Sequence, residues 1–315
     1  MDIIPISYPL QNLPLTLNTQ LSLAIGHFDG VHKGHQNVIG QAVKVAQQNN
    51  MRAAVMTFTP HPKAVLGRGA HYDECLTPLH DKTAIFAKLG VEVVFVMKFD
   101  LQFASVSPEQ FIDEVIKKLN VKHITVGFDF RFGSRGAGDP AMLKELCLPQ
   151  IGVSVVEPLF DNGQKVSSTF TRQLLKEGDL KHAERLLGRP YTITGTVERG
   201  DGRGSTIGFP TANLRFNDPY AGLKLGVYAI KAEVNGKMYG GVLNYGIKPT
   251  FNKEDIKPVM EAHLFDFNQD IYGEAVTVHF IDFIRSEQRF GSVAELIAQI
   301  NKDAETAKSI VSVGR

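Results

Sequence analysis

The sequence predicts an α/β fold joined to a β fold. An N-terminal doubly wound parallel sheet is followed by an antiparallel β-barrel with a C-terminal helix. Three observations predict this. Strand and helix signals alternate from Leu21 to Leu187. From Tyr191 onward the apolar pattern is that of strands. A last stripe at helical spacing, Leu296, Ile297, Ile300, Ala304, Ala307 and Val311, closes the chain.

In the first part the expected strands are Leu21–Ile25, Arg52–Phe58, Glu92–Met97, His123–Val126 and Val153–Val156. Their continuously apolar, β-branched character suits parallel strands buried on both faces. Helices are expected over His35–Asn49, over Leu79–Leu89 with Gly90 as its stop, and over Pro108–Leu119. The last has Ser107 as cap, Pro108 at its first position and Gln110 to close a capping box. Asp139-Pro140 opens another helix in the same way. Cys75-Leu76-Thr77-Pro78, with Asp81-Lys82 after it, reads as an ordinary capped helix start. Short helices follow over Ser168–Glu177 and Leu180–Leu187, separated by Gly178 and the cap Asp179.

The second part carries strands at Tyr191–Glu198, Val227–Val234, Lys237–Asn244, Met260–Phe267 and Ala275–Phe283. Asn235-Gly236 joins two of them as a type I′ hairpin turn. Ser292 caps the final helix and Glu295 completes its box. The expected domains are residues 1–187 and 188–315.

Composition excludes several classes. The 315 residues suffice for two cores, and 43% hydrophobic with 21% charged residues is ordinary for a globular protein. A net charge of +1 without blocks of one sign speaks against a nucleic-acid arm or a polybasic membrane patch. No Lys or Arg precedes Lys33, so no signal-peptide n-region is expected. No apolar run is long enough to span a membrane. Cys75 and Cys147 make neither a metal motif nor a disulfide framework, which fits a reduced cytoplasmic setting. The expected partners are small-molecule substrates, with the chain a monomer or weak homo-oligomer.

The most informative segment is Gly26-His27-Phe28-Asp29-Gly30-Val31-His32-Lys33-Gly34-His35, between an apolar strand and a helix. Strand, glycine turn and helix N-terminus form a phosphate-binding geometry, because free N–H groups and the positive helix end face the turn. His32 and His35 are placed to donate to phosphate oxygens. The competing readings are a tight turn with two surface histidines, or a zinc pair that lacks a third ligand and the i,i+4 spacing.

Five further segments stand out. Thr57-Phe58-Thr59-Pro60-His61-Pro62 follows the second strand at the sheet edge where ligands bind, or is simply a rigid loop. Gly127-Phe128-Asp129-Phe130-Arg131-Phe132-Gly133 has an acid and aromatics suited to a ribose or planar ring; a plain flexible loop is the alternative. Ser167-Ser168-Thr169-Phe170-Thr171-Arg172 opens a helix with hydroxyls and an arginine, a second anion site. In the second part, Gly200-Asp201-Gly202-Arg203-Gly204 leads to Gly208-Phe209-Pro210-Thr211-Ala212-Asn213. Its glycines can wrap a triphosphate, and Thr211 and Asn213 offer oxygen ligands suited to Mg²⁺. A β-turn with an apolar edge is the bland reading. Glu261 in Met260-Glu261-Ala262-His263 is an exposed-face glutamate or, in this company, a general base.

These segments, in this order, closely resemble the bacterial bifunctional riboflavin kinase/FAD synthetase family from about Leu21 to Lys308. The resemblance implies an N-terminal Rossmann-like nucleotidylyltransferase domain and a C-terminal riboflavin kinase barrel. It implies ATP-dependent phosphorylation of riboflavin to FMN, then adenylylation of FMN to FAD with release of pyrophosphate, with Mg²⁺ as cofactor. His32, His35 and Arg172 become the adenylyl-transfer residues. Gly26, Phe28, Asp29, Gly34, Ser168 and Thr169 bind ATP, and His61, Pro62, Asp129 and Phe130 bind flavin or adenine. In the kinase half Gly202, Gly204, Gly208, Thr211 and Asn213 hold Mg-ATP, Glu261 is the base, and Arg285 and Phe290 approach the flavin.

The chain departs from the family pattern at His27, Ser205 and Ile247-Lys248, which bears on rates and ATP affinity. Rival functions are a single active half, a flavin-binding regulator without catalysis, and a nucleotidylyltransferase for another acceptor, such as nicotinamide mononucleotide or a cytidylyl-type substrate.

Overall fold

The computed structural model describes residues 1–11, 19–67, 74–200, 204, 208–247 and 258–313. Six strands form one parallel sheet: β1 (Asp2–Ile6), β2 (Leu21–Ile25), β3 (Arg52–Thr59), β4 (Val93–Lys98), β5 (Val121–Gly127) and β6 (Gly152–Val156), in the order β1-β4-β3-β2-β5-β6. Five match the predicted strands. The sixth, β1, is an edge strand, where Pro5 is tolerated because one side of the ladder is unpaired. Its short, half-exposed pattern carries little sequence signal.

Both faces of the sheet are covered, which explains the continuous apolar runs. Leu21, Leu23 and Ile25 of β2 enter one core with Met56, Phe95 and Ile112. Ala24 enters the other with Val38, Ile39, Ala42, Val43 and Ala46. Those five residues, with Val45, are the buried residues of helix α1 (Lys33–Gln48). The one polar side chain inside β2, Ser22, is satisfied by donating from Oγ to the Ala42 carbonyl at 2.8 Å. Chain order reverses between β2 and β5, so the crevice at their carboxyl ends is the natural ligand site of such a sheet.

Helix α2 (Leu79–Lys88) starts at Pro78 without a side-chain cap, contrary to the expected capped start at 75–78. The reason is that Pro78 holds the cap position and has no side-chain acceptor, while the N–H groups of Leu76 and Thr77 ahead of it go to Asp29. The segment expected as one helix over Pro108–Leu119 is an α-turn (Pro108–Gln110), a π-turn (Phe111–Ile116) and a 3₁₀ turn (Lys117–Leu119). Its capping box forms as expected, with the Gln110 N–H on Ser107 Oγ and the Ser107 N–H on Gln110 Oε1. Phe111, Ile112, Val115 and Ile116 are all buried, and the wider turn seats both pairs in the core. Helix α3 (Pro140–Cys147) is capped by Asp139. A two-strand hairpin, β7 (Phe160–Asp161) with β8 (Gln164–Lys165), precedes α4 (Ser168–Glu177) and α5 (Leu180–Leu187).

Six antiparallel strands close a barrel in the order β10-β13-β12-β11-β14-β9: β9 (Tyr191–Glu198), β10 (Ala212–Phe216), β11 (Gly226–Val234), β12 (Lys237–Ile247), β13 (Pro258–Leu264) and β14 (Ala275–Arg285). Alternation puts Ile193, Tyr228, Leu243, Met260 and Phe280 inside, all buried. Asn235 and Gly236 have φ of 49° and 75°, and Val234 pairs with Lys237 across them, as a type I′ turn requires. The last helix, α6 (Val293–Val313), lays Ala304 and Ala307 on the outer wall at Val227, Ala229, Val242 and Phe265. Ser292 caps it by accepting from the Glu295 N–H. The expected box is displaced by one residue, since Glu295 Oε2 accepts from the Gly291 N–H instead.

The chain divides into two compact units, Met1–Ser168 and Thr169–Arg315. The second unit thereby includes α5 and nearly all of α4. The Lys224 N–H donates to the Leu175 carbonyl, and Lys181 is paired with Asp282 of β14 at 2.8 Å.

Candidate active sites

In the first unit the turn after β2 runs through left-handed backbone at Phe28 (φ 53°), Gly30 (φ 82°) and Val31 (φ 41°). For a β-branched valine this is strained, and such turns persist only when their surroundings hold them. The turn delivers His32 as N-cap of α1, with its Nδ1 accepting from the His35 N–H at 3.2 Å. The two imidazoles stack with centroids 3.6 Å apart and planes 19° apart. Gly34 makes room for this: a Cβ there would lie 3.2 Å from the His32 ring. The first turn of α1 has no acidic residue of its own to offset the positive helix end.

Burial pushes the His32 pKa down to about 4, against the opposing pull of Asp29, and drives His35 well below its usual range. Both rings are therefore neutral near pH 7. Because His32 Nδ1 accepts a hydrogen bond, its proton sits on Nε2. His35 Nδ1 is buried without a hydrogen-bond partner among the described residues, which likewise favours a proton on Nε2. The pair thus presents two N–H donors beside a helix N-terminus, an arrangement for stabilising phosphate charge without accepting a proton.

Other predicted residues take specific places around this pair. Phe28 is buried, edge-on to His35 and Phe86, and Gly26 leaves space for its ring. The Asp29 carboxylate is turned inward onto the Leu76 and Thr77 N–H groups, so it braces the turn and does not face the crevice as a ligand group. Ser168 Oγ donates to the Asp29 carbonyl at 2.8 Å, tying the start of α4 to the same turn. Thr169 and Arg172 stand on the first turn of α4, within the second unit. His61 packs edge-on to His27 at 4.1 Å and caps the short helix that Pro62 opens. Asp129 is paired with Lys165 at 2.8 Å, while Phe130 stacks on Phe132 and lies against the core.

In the second unit the register aligns one row of residues around the barrel. Asn213 faces Glu261, Glu261 faces Asn244, Asn244 faces Val227, and Val227 faces Arg285. Directly opposed residues share a sheet face. Met260 and Ala262, the neighbours of Glu261, point into the barrel, so the row lies on its outer wall. A cavity of about 380 Å³ opens there beneath α6, lined by Thr211, Asn244, Glu261, Arg285, Phe290 and Asp303 among others. A second cavity, of about 360 Å³, is lined by Thr211, Pro210, Asp270 and Tyr272. Thr211 therefore belongs to both.

The segment before β10 is held by His263, whose ring Nδ1 donates to the Pro210 carbonyl at 2.8 Å and which meets Phe209 edge-on. The Phe209 N–H donates to the Gly204 carbonyl. Asn213 abuts Gly200 so closely that a Cβ there would collide with its carboxamide. Gly208 has φ of 84°. Arg285 lies over Phe290 at 5.8 Å. Gly202, Ser205 and Lys248 lie outside the described residues.

Two family models match, in chain order: FAD synthetase over residues 16–170 and riboflavin kinase over residues 187–311. A bifunctional riboflavin kinase/FMN adenylyltransferase of Bacillus subtilis is 48% identical over 286 residues, which is 90% of each chain. The chain belongs to the bifunctional riboflavin kinase/FMN adenylyltransferase family. Members so named from Listeria monocytogenes and Escherichia coli are 43% and 38% identical over 91% of each chain. A crystal structure named as a macrolide-efflux protein from Streptococcus pneumoniae superposes with a TM-score of 0.89 at 34% identity, covering 98% of this chain and 99% of that one. Among the described residues no helix is long and apolar enough to cross a membrane.

Mg²⁺ is the ion the family resemblance implies, and the donor chemistry fits it. The Thr211 hydroxyl and the Asn213 carboxamide offer hard oxygens beside Glu261. Among the described residues no cluster of three His, Cys, Asp or Glu side chains forms a ready cage. The set suits an ion that shares its remaining positions with water and phosphate oxygens.

Three residues of these sites escaped sequence reasoning. Asn244 joins the row only through strand register. Asp303 sits at helical spacing from Leu296 and Ile300, an acid on an apolar face, and that was a usable signal. Lys82, read as part of an ordinary helix start, is buried, and its Nζ donates to the His27 carbonyl at 2.8 Å.

Proposed function

We propose that this chain carries out two consecutive ATP-dependent steps on one flavin. The C-terminal part phosphorylates riboflavin to FMN, and the N-terminal part transfers an adenylyl group from ATP to FMN, giving FAD and pyrophosphate. The observation that carries the reading is that each unit holds its own donor set: stacked neutral histidines at a helix N-terminus in one, and in the other a carboxylate flanked by two asparagines in strand register, lining a cavity.

For phosphorylation, Glu261 accepts the proton of the ribityl 5′-hydroxyl as that oxygen attacks the γ-phosphorus of ATP, an assistance of roughly 10²–10⁴-fold. The flavin occupies the cavity under α6, bounded by Arg285 and Phe290, and the nucleotide enters from the side of Asp270 and Tyr272. The two meet at Thr211. Gly204 and Gly208 line the approach of the triphosphate. Thr211 and Asn213 hold Mg²⁺, which when bound neutralises charge on the transferred phosphoryl group.

For adenylyl transfer the attacking group is the FMN phosphate. It is already ionised, so no base is needed, and the requirement is alignment and charge stabilisation. His32 and His35 donate from Nε2 to the α-phosphate, with Gly26, Gly34 and Ser168 framing the site. His61, Pro62, Asp129 and Phe130 border the space for the flavin or adenine ring. We assign adenylyl transfer to residues 1–187 and phosphorylation to 188–315. ATP-dependent chemistry and two cysteines outside any disulfide suit a cytoplasmic location.

The test supplies Mg-ATP with either riboflavin or FMN and separates the flavins by chromatography. Riboflavin should give FMN and then FAD, and FMN should give FAD. Conversion of neither overturns the reading. A single active half or a non-catalytic regulator is not favoured, because both family models match and both sites keep their polar groups.

A further inference from the structure

Lys82 is a charged group on a buried face. It is 4% exposed, on α2, one turn before the fully buried Phe86. Burying an ammonium is expensive unless it is hydrogen-bonded and compensated. Its one hydrogen-bond acceptor among the described residues is the His27 carbonyl, at 2.8 Å. The same oxygen accepts from Thr57 Oγ1 at 3.0 Å. Two residues further on, Asp29 accepts from the Leu76 and Thr77 N–H groups, and its charge is the main compensation for Lys82. The stretch 76–82 therefore grips the turn at both ends, by Lys82 on His27 and by Leu76 and Thr77 on Asp29.

What it grips is the strained part of the site. Phe28, Gly30 and Val31 all have positive φ, and His32 follows at once as the cap of α1. Left-handed backbone at a valine is strained and has to be imposed from outside. A neutral side chain could fill the volume of Lys82, but it would take one donor from the His27 carbonyl and a buried positive charge from beside Asp29.

From this we infer that Lys82 is a positioning residue for adenylyl transfer: through the His27 carbonyl it fixes the left-handed turn that aims His32, His35 and the N-terminus of α1 at the phosphates. The inference rests on the reading of the first unit as the FMN adenylyltransferase. Lys82 touches no substrate in this role. A displacement of about 1 Å at a site of this kind costs about 10²-fold in rate.

The test compares wild type, Lys82→Met and Thr57→Val as full-length proteins. FAD formation from FMN and Mg-ATP is followed alongside FMN formation from riboflavin. Wild type that makes no FAD overturns the functional reading and not this inference. With wild type active, Lys82→Met should lose about 10²-fold in kcat for FAD formation, with KM for FMN changed less than threefold and riboflavin phosphorylation unaltered. A kcat within threefold of wild type, or an equal loss of both activities, overturns the inference. Should Lys82→Met fail to fold, Thr57→Val decides, because it removes the other donor to the same oxygen. It should lower kcat for FAD formation several-fold with the kinase rate unchanged, and a wild-type kcat overturns the inference.

Discussion

Arg285 on β14 and Asp303 on α6 meet in a forked ion pair: Nη2 lies 2.7 Å from Oδ2, and Nε lies 3.0 and 2.9 Å from the two carboxylate oxygens. Gln299 also donates to Asp303 at 2.8 Å. The pair fastens the C-terminal helix to the barrel at the wall of the cavity assigned to the flavin. Removing one partner from a buried pair costs about 3–5 kcal/mol, since the other charge is left uncompensated. Asp303→Asn should therefore destabilise the second unit by about that much in urea titration and raise KM for riboflavin at least tenfold. FAD formation from FMN should be unaffected. Wild-type stability and KM together would show that the pair is incidental.

Glu261 stands between Asn213 and Asn244 on adjacent strands. Glu261→Gln keeps its shape and hydrogen bonding but cannot take a proton. FMN formation should fall by roughly 10²–10⁴-fold while ATP still binds and FAD is still made from supplied FMN. Riboflavin turnover at the wild-type rate would remove Glu261 from the mechanism.

Gly200 is set by contact with Asn213. In Gly200→Ala the new methyl group must displace the Asn213 carboxamide, so the kinase should lose about 10-fold or more in kcat/KM for ATP. The circular dichroism spectrum should be unchanged. Full kinase activity would mean that Asn213 does not hold the metal–nucleotide.

His32 makes the first unit acid-sensitive in a defined direction. Its folded-state pKa is about 4, below the ordinary value of 6.5 given by an unfolded chain. The unfolded chain therefore binds a proton that the folded one refuses. The contribution is complete above about pH 7 and is lost as pH falls from 6.5 through 4, amounting to on the order of 3 kcal/mol. His35 acts in the same direction. Denaturation at pH 7.5, 5.5 and 4.5 should show this loss, and His32→Gln should reduce it. An identical pH dependence in the variant would count against burial as the cause.

Much of the architecture was legible in the chain. The periodicity of β2 and α1, the Asn235-Gly236 turn and the alternation in the barrel strands each lie within a few neighbouring residues, where local geometry governs. The same holds for His32 and His35, which one helical turn brings together, and for Thr211-x-Asn213, which two residues of extended chain place nearby. Other features had no local signature. The π-turn at Phe111–Ile116 arises because two pairs of apolar residues had to reach one core. The inward turn of Asp29 arises because Leu76 and Thr77 arrive there from a distant part of the chain.

By itself the sequence determined the order of the elements, the two-part organisation and the polar motifs that mark each site. These follow from side-chain periodicity and backbone preference over short spans. Only the tertiary structure decided which distant groups become neighbours: Glu261 between Asn213 and Asn244, Asp303 under Arg285, Lys82 beneath His27. The physical reason is that strand register, barrel closure and helix docking are settled by packing of the whole core; a shift of one residue in strand register would turn Glu261 to the opposite face.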